Sequence, residues 1–207
     1  MQYEGRDVII REGVGTNCPL VIALHGSLGN PTTFQSNIDL ESILSDNVTI
    51  CYPASGGTTW FAGGENGQDN DDILYLSGLI YHLQNNYNVD ENKIYILGYS
   101  NGGMMAYRAA SEIEDTFAGV VGISATITNY AEFEYNKKLL HIHGMDDATL
   151  PIAGNATYDP LLTIFNAVQD KLSSLSIEFV GNSGHQIAEL KANDLYFNDR
   201  IKRFIEG

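Results

Sequence analysis

The segment Gly98-Tyr99-Ser100-Asn101-Gly102 has the residue types and spacing of a serine held out to attack an electrophile. A hydroxyl becomes a strong nucleophile only when the backbone exposes it and a neighbouring base takes its proton. The apolar run Ile94-Tyr95-Ile96-Leu97 precedes the segment as a strand, and an Ala- and Met-rich run from Ser100 to Ser111 follows it as a helix. A sharp strand-to-helix turn strains the serine backbone and projects its hydroxyl. Crowding around that turn favours glycine two residues before and two residues after. The amides opening the new helix, with its dipole behind them, then face any negative charge that develops beside the serine.

Such a serine needs a base, and the base needs a carboxylate to orient it. Among the five histidines, His185 follows the strand-like run Ser176 to Val180 on the Gly-flanked loop Gly181-Asn182-Ser183-Gly184. From there an imidazole can swing over the serine. His141 and His143 fall inside the strand Leu139 to His143, where buried and hydrogen-bonded roles are expected. His82 falls on a helical pattern and reads as a surface or packing residue. His25 ends the run Leu20 to Leu24 and is expected to shape a loop that supplies an oxyanion-binding amide. An acid just beyond a strand's C-terminal end is well placed for catalysis, which points to the adjacent pair Asp146 and Asp147. Asp69, Asp71 and Asp72 could be taken for a metal cluster, but they read as the solvated start of a helix. No metal and no cofactor is expected.

The elements that must carry these residues alternate along the chain. Strand-like runs fall at Val8–Ile10, Leu20–Leu24, Val48–Tyr52, Ile94–Leu97, Val120–Ile123, Leu139–His143 and Ile177–Val180. Their continuous apolarity means strands covered on both faces, as in a parallel sheet. Ile73, Leu76, Ile80, Leu83 and Tyr87 draw one face of a helix, and further helices are expected over Ser100–Ser111, Pro160–Leu172 and Gln186–Ile205. Strand–helix alternation in this order implies an open α/β sheet with helices on both sides, one domain over residues 1–207. The longest loop-like segment, Ala54 to Gly67, leaves the sheet edge where Ser100 also emerges. Its Trp60 is read either as a large aromatic packed against the core or, with Phe61, as an aromatic wall for a bound acyl group, with Tyr99 beside the serine as a further surface.

Composition excludes several classes of partner. Eleven Lys and Arg against 26 Asp and Glu leave a formal charge of −15, which repels nucleic acids and anionic membranes. No apolar run approaches the ~18 residues that would span a bilayer. The N-terminus does not read as a signal peptide, so a cytoplasmic location is expected, or secretion if a leader has been trimmed. The two cysteines are too few for a disulfide scaffold, and no Cys18–Cys51 bond is expected.

Taken together, the chain resembles the α/β-hydrolase serine esterases, closest to the polyhydroxybutyrate depolymerase and feruloyl esterase group. The resemblance lies in Gly5–Ile10, Pro19–Ser27, Asp71–Ile73, Val89–Tyr95, Gly98–Tyr107 and His143–Pro151, with Ser100-Asn101-Gly102-Gly103-Met104-Met105 the most specific part. It implies Ser100 as nucleophile, Asp147 as the acid and His185 as base. It also implies an oxyanion hole from the backbone amides of Asn101 and Ser27, or of Leu28, which is also read as a substrate contact. The stretch Gly184-His185-Gln186-Ile187 is more similar to small carboxylesterases and dienelactone hydrolases. The resemblance implies aromatic-acyl or polyester substrates, with carbohydrate acetyl esters or general short-chain esters as the alternative. A catalytically silent binding module on the same fold is the alternative outside enzymes. The short chain leaves no room for a cap domain, and a sheet of fewer than eight strands is expected. The oligomeric state is left open.

Overall fold

Alternating side chains along the central strands face two separate apolar layers. Leu20, Ile22, Leu24, Ile94, Ile96, Val120 and Leu139 face one, while Val21, Ala23, Tyr95, Leu97, Val121, Ile123, Leu140 and Ile142 face the other. A strand buried on both faces needs cover on both faces. The computed structural model, which describes residues 1–63, 71–113 and 115–207 (Asp71 by its backbone alone), supplies that cover with helices. Helices α3 (Asp71–Asn86), α4 (Asn101–Glu112) and α5 (Leu161–Val168) pack on the first layer. Helices α1 (Pro31–Ile38), α2 (Leu40–Ile43), α6 (Ile187–Asn193) and α7 (Phe197–Glu206) pack on the second.

Among the described residues the sheet has eight strands, not fewer. They are β1 (Gln2–Tyr3), β2 (Arg6–Arg11), β3 (Cys18–Leu24), β4 (Thr49–Pro53), β5 (Val89–Tyr99), β6 (Gly119–Ile123), β7 (Lys138–Gly144) and β8 (Ser174–Val180), in the spatial order β1-β2-β4-β3-β5-β6-β7-β8. The strand that sequence reading misses is β1. Two residues carry no periodicity, but Glu4 and Gly5 both take positive φ (48° and 76°), the backbone of a tight hairpin turn that folds β1 antiparallel onto β2. From β4 to β8 every neighbouring pair is parallel. All their C-terminal ends therefore share one edge, where an open α/β sheet binds its ligands.

The expected helix over Gln186–Ile205 is two helices. Asp194 breaks it: its carboxylate accepts from the Tyr196 amide (2.9 Å) and from Arg200 Nε (3.0 Å), which closes a turn between α6 and α7. Cys18 and Cys51 are both free and buried, and Cys51 lies abreast of Ile22 rather than of Cys18. Among the described residues, no helix is long and apolar enough to cross a membrane.

Candidate active site

The turn from β5 into α4 is tightly packed. Ser100 takes φ 54° and ψ −122°, a conformation few residues other than glycine adopt. A Cβ on Gly98 would stand 2.0 Å from Gly102 O, and one on Gly102 would stand 2.3 Å from His25 O. Those two contacts explain both flanking glycines. The strain is held by packing and by the Ser100 amide, which donates to Ile123 O of β6 at 2.9 Å.

Three expected residues meet at this turn. His185, on the loop after β8, places Nε2 2.9 Å from Ser100 Oγ. Its Nδ1 lies 2.7 Å from Asp147 Oδ2, on the loop after β7. The other oxygen of that carboxylate, Oδ1, accepts the amides of Thr149 and Leu150, each at 2.8 Å. Burial pushes the Asp147 carboxyl up, but hydrogen bonding from His143, His185 and the Leu150 amide, with the charge of His185, outweighs it. The carboxyl is held well below its usual range. Asp146, one residue earlier, is exposed and turns away from this cluster.

The expected oxyanion donors divide cleanly. The Leu28 amide is committed to Thr58 O at 2.6 Å, so it is not free for substrate. The Ser27 and Asn101 amides have no hydrogen-bond partner among the described residues. His25 shapes the Ser27 loop from beneath: its Nδ1 donates to Gly26 O (2.8 Å) and its Nε2 accepts from the Ser55 amide (3.1 Å). Burial lowers its basicity, which suits this neutral role.

Trp60 is corrected. It is 2% exposed, and its indole N–H donates to His25 O at 3.0 Å, so its ring packs in the core instead of walling a ligand. Its backbone is gripped by the Asn101 side chain: Oδ1 accepts the Trp60 amide (2.7 Å) and Nδ2 donates to Trp60 O (3.0 Å). Phe61 is half-buried beneath the Arg108 guanidinium, which also donates to Phe61 O. Tyr99 is half-buried with its ring 5.3 Å from the His185 imidazole, and burial followed by the charges of Asp147 and Glu189 pushes its phenol up to about 12. Leu28 is 81% exposed.

Asp72 also departs from expectation. It is buried, pairs with Arg6 and accepts the Phe61 amide at 2.7 Å, pinning the loop instead of facing water. Asp69 and the side chain of Asp71 lie outside the described residues. The loop anchors Asn101, Arg108 and Asp72 were missed by sequence reasoning, because each bonds backbone atoms of a distant segment. Among the described residues, no three of His, Cys, Asp and Glu gather so as to hold a metal ion.

Comparison with known proteins agrees with this frame. The family model described as Phospholipase/Carboxylesterase matches residues 63–191, more than half of the chain. The chain belongs to that family and carries its α/β-hydrolase fold. It is similar to the bifunctional acetylxylan esterase/xylanase XynS20E of Neocallimastix patriciarum, 29% identical over 155 residues, covering 72% of this chain and 22% of that protein. It is also similar to feruloyl esterase B of Thermothelomyces thermophilus, 29% identical over 122 residues, covering 55% of this chain and 42% of that one. The chain thus spans less than half the length of either relative. The crystal structure of esterase PE8 superposes with a TM-score of 0.71 at 19% identity, covering 97% of this chain and 99% of that one.

Proposed function

We propose that the chain hydrolyses carboxylic esters through an acyl-enzyme on Ser100, with His185 as base and Asp147 as its orienting acid. One observation carries the reading: Asp147, His185 and Ser100 stand in an unbroken hydrogen-bonded line (2.7 and 2.9 Å), and the Ser27 and Asn101 amides have no partner among the described residues. His185 Nε2 takes the hydroxyl proton as Ser100 Oγ bonds to the ester carbonyl carbon. The Ser27 and Asn101 amides hold the resulting oxyanion, each donor worth about 3 kcal/mol. The imidazolium then gives its proton to the leaving alkoxide as the C–O bond breaks. Water repeats the cycle, frees the acid and returns the proton to Ser100. Asp147, kept ionised, fixes Nδ1 as the protonated nitrogen and stabilises the imidazolium.

The acyl group is read as small, because Trp60 is withdrawn into the core and offers no aromatic wall. Kinship with an acetylxylan esterase favours acetyl esters of carbohydrates. Feruloyl-type esters are the second reading, favoured by the half-buried rings of Phe61 and Tyr99 and by kinship with a feruloyl esterase. Leu28, exposed one residue after Ser27, is read as a contact for either acyl group. Nucleic acids and anionic membranes stay outside the reading on charge.

Ser100→Ala should lower kcat on p-nitrophenyl acetate by about a million-fold while the melting temperature holds. A folded variant keeping a tenth of wild-type activity contradicts the assignment. A panel of acetylated sugar and feruloyl esters then separates the two substrate readings.

A further inference from the structure

Behind Asp147 lies a second line of polar groups that the reaction as written does not use. His143 Nε2 lies 2.8 Å from Leu150 O and 3.2 Å from Asp147 Oδ2. His143 Nδ1 lies 3.2 Å from His141 Nε2, and His141 Nδ1 lies 2.8 Å from the Tyr107 hydroxyl. All three side chains are buried in the layer covered by α4 and α5. One anchor orders every proton. Leu150 O can only accept, so His143 Nε2 carries the hydrogen and Nδ1 accepts from His141 Nε2–H. His141 Nδ1 then accepts from the Tyr107 O–H. Full burial, with His143 alongside, holds His141 neutral, as this order requires.

The fold makes room for the line at some expense. Gly122 of β6 lies abreast of His141, and a Cβ there would stand 2.0 Å from the Tyr107 hydroxyl. Glycine inside a strand weakens it. Phe165 closes the far side, its ring 4.6 Å from that of His141. An apolar trio would fill the same layer without any need for satisfied partners, so stability alone does not call for this one.

We propose that Tyr107, His141 and His143 are positioning residues of the catalytic acid, a one-way hydrogen-bond chain that locks the 147–150 turn and draws charge from the Asp147 carboxylate. The proposal rests on the assignment of Ser100, His185 and Asp147 above. His143 acts in two ways. Its N–H grips Leu150 O, and Leu150's own amide binds Asp147 Oδ1, so the turn is held on both sides of one residue. The same N–H lies beside Oδ2, the oxygen that binds His185, and competes for its charge. Each donor up the chain polarises the next, so the pull weakens with distance from Asp147.

The test is the rate at which a fluorophosphonate labels Ser100, measured against pH, since labelling needs an activated serine but no known substrate. His143→Phe should label about tenfold more slowly, the worth of one hydrogen bond acting on the reacting group. With less charge drawn from Asp147, His185 holds its proton more strongly, and the acid limb should move up by about half a pH unit. His143→Gln, which restores an N–H at similar reach, should recover most of both losses. Tyr107→Phe should shift the limb in the same direction by a smaller amount. Tyr99, whose ring lies 5.3 Å from that of His185, and Glu189, which accepts the Gly184 amide, are intact in every variant. If His143→Phe does not fold, the Tyr107→Phe limb decides. Wild-type labelling with an unmoved limb in folded His143→Phe, or in Tyr107→Phe, overturns the chain's role and leaves the esterase reading standing. A wild type that does not label overturns both.

Discussion

Two adjacent carboxylates meet different surroundings. Asp147 is 3% exposed and accepts from His185 and two backbone amides, whereas Asp146 faces solvent. Asp147→Asn should therefore lose about 10⁴ in kcat by holding the wrong tautomer of His185. Asp146→Asn should lose less than about threefold, since an exposed residue away from the line touches no reacting group. The opposite ranking in steady-state assays would exchange the two roles. Because hydrogen bonding holds the Asp147 carboxyl below its usual range, the unfolded chain takes up this proton more readily than the folded one. The stability it contributes is complete above the unfolded value of about 3.9 and is lost as pH falls below it toward the folded value. In thermal melts from about pH 6 down to pH 3, the advantage of wild type over Asp147→Asn should narrow below about pH 4. A constant gap would deny the depressed carboxyl. Ser100 and His185 could be singled out from sequence because each lies in a short stretch that little else explains. Position beyond the strand alone does not separate Asp146 from Asp147, since alternation does not say which side a turn residue takes; the choice of Asp147 rests on the resemblance of the His143–Pro151 stretch.

Among the elements, the segment between β4 and α3 is the one whose role changes most on folding. Gly-rich sequence around Trp60 suggests an open loop, yet Asn101, Arg108, Thr128 and Asp72 all bond its backbone. None of these contacts has a local sequence signal, because each joins segments far apart in the chain. Trp60→Ala should accordingly act on stability, costing about 3–5 kcal/mol in urea unfolding, as deletions of buried aromatic rings do. A variant of wild-type stability with altered ester preference would return Trp60 to the binding site. The elbow makes a sharper demand. Gly102→Ala brings a methyl group to 2.3 Å from His25 O, so the start of α4 and the chain leaving β3 cannot both keep their places. That variant should fail to yield folded protein by circular dichroism, and a well-folded, active Gly102→Ala would contradict the geometry. Helix α1 has clear signals in retrospect, with Asn30 as cap and Pro31 in the first turn. Its start could be read from sequence, but its eight residues are short for a periodic pattern.

At the scale of the molecule, six mutually parallel strands bring Ser27, Ser100, Asp147 and His185 to the same edge from four separate loops. The layering was readable from continuous apolar runs, and the order of the motifs fixed which loops could meet. The edge strand β1 was not readable, since two residues are too few to show a pattern. The charge of −15 acts on the whole molecule as well. An anionic ester should show kcat/KM rising with salt while a neutral ester of the same acyl group stays flat, because screening relieves only the charged encounter. The central claim is the covalent intermediate on Ser100. Rapid mixing with a p-nitrophenyl ester, acid quenching and peptide mass spectrometry should find the acyl group on the peptide containing Ser100, and none in Ser100→Ala. An acyl adduct on another residue, or turnover with no adduct during the steady state and an undiminished Ser100→Ala, would contradict it.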